Sequence, residues 1–124
     1  IEAIYTGVVG ALSEVPDVLN ASAHSSHAYR SGLNLYFSFA VRPEDPAAMA
    51  ERYRTCWQRI IETTAELGGG IAHHHGIGRV RAPYLHHDLG DAGIAALRAV
   101  KAALDPSGIM NPGVLLPDTD GASV

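Results

Sequence analysis

The chain has 124 residues, of which 47% are hydrophobic, and this composition is enough for one core and unlike that of disordered or fibrous proteins. Nine basic and thirteen acidic residues give a net charge of -4, with the acidic residues spread along the chain. Nucleic acid and anionic membrane surfaces are therefore disfavoured as main partners, and a small molecule or a protein is expected.

An amphipathic helix is the first predicted element, and Val15-Pro16 ends it near Glu14. The chain begins inside this pattern, without a methionine or a capping residue, so we expect it to be a fragment of a longer protein. No apolar stretch approaches the ~20 residues that span a bilayer. The single cysteine and the alanine- and arginine-rich composition favour a reducing compartment, and we expect the cytoplasm of a bacterium.

Two strands are predicted next. Residues 17–28 alternate weakly between apolar and small polar side chains, whereas residues 33–42 alternate strictly. The strict alternation puts an apolar stripe on one face of a sheet, formed by Leu33, Leu35, Phe37, Phe39 and Val41.

A second helix follows, with Asp45 suited to its N-cap and Pro46 to its first position. Its apolar face recurs at steps of three and four and is predicted to pack on the sheet; it consists of Met49, Tyr53, Cys56, Trp57, Ile60, Ile61, Thr64 and Leu67. Cys56 lies on this face, which favours a core role over a reactive one.

The glycines at 68–70 end the second helix, and we expect a third strand at residues 70–75 and a last helix at about residues 91–104, closed by Asp105-Pro106. The predicted fold class is α+β, with a small antiparallel sheet covered on one face by helices. Residues 107–117 are predicted to be irregular but docked, and residues 118–124 to form a flexible tail.

Three consecutive histidines stand between glycines in the run Gly68 to Gly78, which reads Gly-Gly-Gly-Ile-Ala-His-His-His-Gly-Ile-Gly. Imidazoles titrate near neutral pH and serve in proton transfer, anion binding or metal ligation. In an extended strand, His73 and His75 would share one face and His74 the other, so a metal would need further ligands such as His24 or His27. The spacing signal for a metal is weak and we predict none, while a plain solvated turn stays an alternative.

The histidine run continues into Arg-Val-Arg and Ala-Pro-Tyr-Leu, and Asn111-Pro112-Gly113 follows later. Over most of residues 25–117 this pattern resembles the C-terminal domain of FAD-linked oxidases of the vanillyl-alcohol-oxidase type. The triple histidine, together with Ala28-Tyr29-Arg30-Ser31-Gly32 before an aromatic strand, is most similar to alkyldihydroxyacetonephosphate synthases. The resemblance implies a partial ferredoxin-like cap domain at residues 1–117, and FAD bound mainly by an upstream domain absent from this chain.

Two other readings stay open. The D-lactate and glycolate dehydrogenases of this superfamily typically carry Glu-His-Gly-x-Gly, with a glutamate that some members use as a metal ligand, whereas this chain has His74 there. Losing the carboxylate removes the hard oxygen ligand, which favours the synthase-like reading. A free-standing histidine-based module for ligand binding or oligomerisation is the alternative of another class.

The synthase resemblance implies roles for named residues, in an exchange of acyl for alkyl on dihydroxyacetone phosphate during ether lipid synthesis. The implied catalytic residues are Tyr29, His73, His74 and His75, at least one histidine being structural; Arg30, Arg79 and Arg81 would bind the substrate phosphate or the cofactor's pyrophosphate; Asn111, Gly76 and Gly78 would lie at the cofactor. An ordinary tyrosine, solvated arginines and a simple turn at Asn111 are the plain alternatives. The fragment alone should be inactive, and uncovered sheet edges lead us to expect a homodimer.

Overall fold

The computed structural model describes residues 1–116 and divides the chain into two compact units, one from Ile1 to Gly69 and one that begins at Gly70. The first unit has four short antiparallel strands between two helices, so the predicted α+β class is confirmed. The elements are α1 (Glu2–Ser13), β1 (Val18–His24), β2 (Ala28–Tyr29), β3 (Gly32–Leu33), β4 (Tyr36–Val41), α2 (Met49–Glu66) and α3 (His86–Leu104).

The main sheet of the first unit consists of β1 and β4, which pair antiparallel with Ala21 opposite Phe39 and Ala23 opposite Phe37. Phe37 and Phe39 pack against the buried core, as their alternation with polar residues predicts. The predicted strand at 33–42 is broken, however. Leu33 belongs to β3, which pairs with β2 in a separate short hairpin.

The core of this unit lies between the two-stranded sheet and the helices α1 and α2. Its buried residues are Val8, Leu12, Val15 and Cys56. Cys56 is fully buried, which confirms its predicted place in the core, and burial raises the pKa of its thiol.

Helix α2 begins as its sequence predicts. The Asp45 carboxylate accepts a hydrogen bond from the Ala47 amide at 2.9 Å, and Pro46 opens a 3-10 turn that leads into the helix. The predicted apolar face is fully buried only at its centre, at Cys56 and Ile61. Its two ends are more exposed than predicted, with 42% exposure at Met49, 48% at Tyr53 and 45% at Leu67.

The turn between α1 and β1 is fixed by Asp17, which has a φ of 70°. Its carbonyl oxygen accepts the Arg42 amide at 3.0 Å, and its carboxylate accepts the Arg52 Nε at 2.9 Å. The hydrogen bond that Arg52 donates to the Asp17 carboxylate raises the pKa of the Arg52 guanidinium. One aspartate thus ties the start of β1 to both β4 and α2.

In the second unit the predicted strand at residues 70–75 is wrong, because these residues form bends without a strand partner. The Ile71 amide donates to the Asp88 carboxylate at 3.1 Å and not to a sheet. A 3-10 turn at Ala82–Tyr84 leads into α3. This helix starts earlier than predicted, at His86, but Gly90 interrupts it with φ 64° and ψ 174°, so its regular part begins where the sequence predicts.

Residues 105–116 are irregular, as predicted. The predicted flexible tail at 118–124 lies outside the described residues, and the domain bounds stay a prediction. In the part of the chain that the structure describes, every helix is too short or too polar to cross a lipid bilayer.

Candidate active site

The predicted tyrosine lies on the hairpin formed by β2 and β3, where Tyr29 pairs with Gly32. Two hydrogen bonds between His27 and Asn34 close the base of the hairpin. The His27 amide donates to the Asn34 side-chain oxygen at 2.8 Å, and the Asn34 amide donates to the His27 carbonyl at 3.2 Å. Because Asn34 bonds back to His27, residues 33–41 cannot form one continuous strand.

Tyr29 is 53% exposed, so the hairpin presents its phenol on the surface of the first unit. The His27 ring lies nearly parallel to the Tyr29 ring, with ring centres 6.4 Å apart, and the Ser26 hydroxyl lies 2.7 Å from His27 Nδ1. Arg30 is exposed in the turn beside Tyr29. A proton donor or acceptor and a cation are therefore available to a bound molecule on this hairpin.

The three histidines occupy a loop of the second unit, residues 70–78, which we call the histidine loop. All three side chains are exposed. The rings of His73 and His74 meet edge to face with centres 4.7 Å apart, and those of His74 and His75 with centres 4.4 Å apart. The expected alternation, with His74 directed away from its neighbours, is wrong because the segment is not extended.

His73 Nδ1 and His74 Nδ1 lie 2.5 Å apart. One nitrogen of such a pair must carry the hydrogen and the other must accept it, so the two rings adopt linked tautomers. The two imidazoles therefore form one hydrogen-bonded pair.

The histidine loop is anchored at both ends. At its start, Ile71 is buried and its amide is bound by Asp88. At its end, Arg81 donates from Nη1 to the Gly76 carbonyl at 3.0 Å, and the Leu115 amide donates to the Gly78 carbonyl at 3.0 Å. These bonds fix the backbone on either side of the imidazoles.

Gly76 and Gly78 have φ values of 74° and 62°, which non-glycine residues rarely adopt. An added Cβ would meet no atom within 4 Å at either position, so the backbone there is open to close approach by a flat ring. The place at the cofactor that the resemblance implies for these two glycines stays a prediction. Asn111 is exposed with φ 45°, and its carbonyl accepts the Val114 amide at 3.2 Å.

The structure thus places the three histidines, Gly76 and Gly78 on one anchored loop, to which Arg81 is hydrogen-bonded. Tyr29 and Arg30 lie on the hairpin of the other unit. Arg79 is exposed. Arg81 donates a hydrogen bond from Nη1 to the Gly76 carbonyl of the loop, a structural role that the sequence did not reveal. Asp88 was also missed. Its one sequence signal was an acidic residue in the first turn of a helix.

The chain is similar to known proteins over most of its length. Residues 4–115 match the family described as FAD linked oxidases, C-terminal domain. The uncharacterised FAD-linked oxidoreductase YgcU of Escherichia coli K12 is 37% identical over 94% of this chain and 25% of its own length.

Two named enzymes are also similar. The alkyldihydroxyacetonephosphate synthase of Trypanosoma brucei brucei is 37% identical over 76% of this chain and 15% of its own length. The glycolate oxidase subunit GlcD of Bacillus subtilis is 48% identical over 51% of this chain and 13% of its own length. The chain spans a quarter or less of these relatives. By its match over nearly all described residues, the chain belongs to the family of C-terminal domains of FAD-linked oxidases.

Proposed function

We propose that the chain supplies the histidine-bearing part of the active site of an FAD-dependent enzyme resembling alkyldihydroxyacetonephosphate synthase. The observation that carries this proposal is the anchored histidine loop with three exposed imidazoles next to open glycine backbone. Synthases of this name from Trypanosoma brucei brucei and Dictyostelium discoideum match 76% and 77% of the chain. An upstream domain of the same protein would bind most of the FAD.

The proposed reaction exchanges a fatty acyl group for an alkyl group on dihydroxyacetone phosphate. The bond between the substrate carbon and the acyl oxygen breaks, the fatty acid leaves, and the oxygen of a fatty alcohol forms the new ether bond. FAD would supply an electron-accepting centre for the carbon that changes partners. The chain's own task is to move protons: one leaves the carbon next to the carbonyl and returns to it after the ether bond has formed, and the one lost by the attacking alcohol is released with the fatty acid.

His73 and His74, whose Nδ1 atoms lie 2.5 Å apart, are the proposed acids or bases for this task, because imidazole is the side chain most often used in proton transfer. Tyr29, exposed on its hairpin, is a second proposed acid or base. The exposed guanidinium groups of Arg30 and Arg79 would neutralise the phosphate, since a planar guanidinium binds phosphate oxygens in pairs.

The competing function is oxidation of a D-2-hydroxyacid, and the 48% identity to GlcD over 63 residues favours it. His74 argues for the synthase, because it stands where that branch typically carries a glutamate. A synthase-like enzyme should leave its flavin oxidised when mixed with D-lactate or glycolate. Rapid bleaching of the flavin by either acid would establish the dehydrogenase in its place.

The test of the proposed function uses the full-length enzyme with His74→Ala. We expect turnover of acyl-dihydroxyacetone phosphate and a long-chain alcohol to fall by about 10²- to 10⁴-fold, the usual contribution of a general acid or base. His87→Ala is the matched control, because His87 is an exposed histidine that also contacts a neighbouring ring but lies on α3. Wild-type turnover in His74→Ala would remove this residue from the mechanism.

A further inference from the structure

Asp105 is the one buried charged residue among residues 1–116, with 8% of its surface exposed. It lies directly after the last turn of α3. Its carboxylate accepts hydrogen bonds from the Ile109 amide at 3.1 Å, from the Met110 amide at 3.0 Å and from the Lys101 ammonium. A buried carboxylate with three donors fixes the backbone that supplies them.

Lys101 completes a clamp, because its ammonium also donates to the Met110 carbonyl. Both backbone polar groups of Met110 are thus held by side chains of α3 or its C-cap. Burial of side chains does not explain this fixation, since Ile109 is 78% exposed and Met110 is 64% exposed. The position of the chain at Met110 therefore depends on polar contacts with Asp105 and Lys101.

The fixed backbone leads to the histidine loop. Directly after Met110, Asn111 starts a turn that the Val114 amide closes, and the next amide, that of Leu115, donates to the Gly78 carbonyl. Leu115 has a φ of 69°. The Leu116 amide donates to the Val114 carbonyl at 2.9 Å, so residues 114–116 form a tight turn centred on Leu115. This tight turn sets the direction of the Leu115 amide, so a shift at Met110 would be passed on to Gly78.

We propose that Asp105, together with Lys101, is a positioning residue for the histidine loop, acting through residues 109–115 on the Gly78 carbonyl. The part of this proposal that concerns catalysis rests on the proposed function. The part that concerns the loop does not.

The first experiment measures hydrogen exchange by mass spectrometry in the full-length protein with Asp105→Asn, where the amide group cannot accept from all three donors. We expect faster exchange both in peptides from 106–116 and in peptides from 70–81. Asp91→Asn is the matched control, an exposed aspartate of the same helix, and should leave both regions unchanged. Faster exchange in 106–116 with an unchanged histidine loop would overturn the proposal.

A change of exchange throughout residues 1–69 would mean that Asp105→Asn unfolds more than this region. Lys101→Gln then provides the milder variant, because it removes the ammonium and leaves the carboxylate with its two amides. Exchange is compared in the same two peptide regions, 106–116 and 70–81. Faster exchange in 106–116 alone would again overturn the proposal.

The second experiment separates positioning from general damage by a double-mutant cycle. We expect Asp105→Asn to lower kcat on the order of tenfold, because displacement of catalytic groups is costly. In a His74→Ala background it should cause little further loss, since the group that it positions is gone. Fully multiplicative losses would overturn the catalytic part. No loss from His74→Ala alone would instead contradict the proposed function, while the exchange result would still decide whether Asp105 orders the loop.

Discussion

Asp17 combines two separable contributions to stability, an unusual backbone angle and an ion pair. Its φ of 70° lies in the left-handed region, which asparagine and aspartate tolerate better than β-branched residues. Its pair with Arg52 is partly exposed, with side-chain exposures of 28% and 26%, so a contribution of at most about 1 kcal/mol is expected.

We therefore predict that Asp17→Asn lowers the free energy of unfolding by about 0.5–1 kcal/mol, since it removes the charge and keeps the backbone angle. Asp17→Val should cost about 1–2 kcal/mol more because of the backbone strain. Urea unfolding of both variants measures the difference. Equal losses would show that the angle at Asp17 is not strained for valine.

A partner close in sequence helps a residue's role to be predicted but does not ensure it. Asp45 was identified as a helix cap because its partner, the Ala47 amide, lies two residues away. The ion pair between Asp17 and Arg52 joins residues 35 positions apart, and no local pattern indicates it. Asp105 was recognised only as the end of a helix. Its partners follow closely in sequence, but nothing in the sequence shows that its carboxylate is buried.

At the scale of elements, the packing of α1 against α2 depends on a glycine. An added Cβ at Gly7 would lie 2.7 Å from Leu67 Cδ1 and 3.3 Å from Thr63 Cγ2. Gly10, on the same helix, would place a Cβ with no atom within 4 Å. The two positions share one helix and differ in the space beside them.

We predict that Gly10→Ala raises the free energy of unfolding by up to about 1 kcal/mol through helix propensity. Gly7→Ala has the same propensity gain, but Leu67 and Thr63 must move, so this variant should end at least about 1 kcal/mol below Gly10→Ala. Thermal or urea unfolding of the pair provides the measurement. A Gly7→Ala variant as stable as Gly10→Ala would mean that the Leu67 side chain, which is 45% exposed, moves aside at little cost.

The sequence predicted α1, α2, the regular part of α3 and β4 from their strong periodicity, and it also predicted the strand that contains β1 from a weak alternation at residues 17–28. The strand predicted at 70–75 failed because a strand needs a partner as well as an apolar start. Here the Asp88 carboxylate accepts the hydrogen bond from the Ile71 amide, and the chain turns at Gly76 and Gly78, which have positive φ values. The Asp88 carboxylate, 17 positions away, thus replaces the strand partner expected for Ile71. Local sequence propensities give no sign of such a distant hydrogen bond.

At the scale of the whole molecule, the family match spans both units, although the candidate site residues are divided between them. Sequence motifs identified the tyrosine segment and the histidine run because each is contiguous. The anchoring of the histidine loop was not predictable, since it depends on a hydrogen bond accepted by Asp88 and on hydrogen bonds donated by Arg81 and Leu115. The sequence motifs therefore identify the family, and the structure is needed to show which hydrogen bonds hold the site residues in place.

The stability of the molecule in acid should depend on Asp105. The hydrogen bond from Lys101, followed by that from the Met110 amide, lowers the pKa of the Asp105 carboxyl in the folded chain, against an opposing effect of burial. In the unfolded chain this carboxyl titrates near its ordinary pKa of ~3.9. The folded state therefore binds fewer protons between the two pKa values, and stability rises with pH across this window.

We predict that this contribution is complete above about pH 5 and is lost as the pH falls below ~3.9 and through the folded pKa of Asp105. Urea unfolding at steps from pH 7 to pH 2 would show it as a loss of stability that is smaller in Asp105→Asn. Asp91→Asn should follow the wild-type curve, because Asp91 is exposed on α3. If Asp105→Asn lost as much stability in acid as the wild type, the acid sensitivity would belong to other carboxylates, and the clamp on Met110 would not depend on the charge of Asp105.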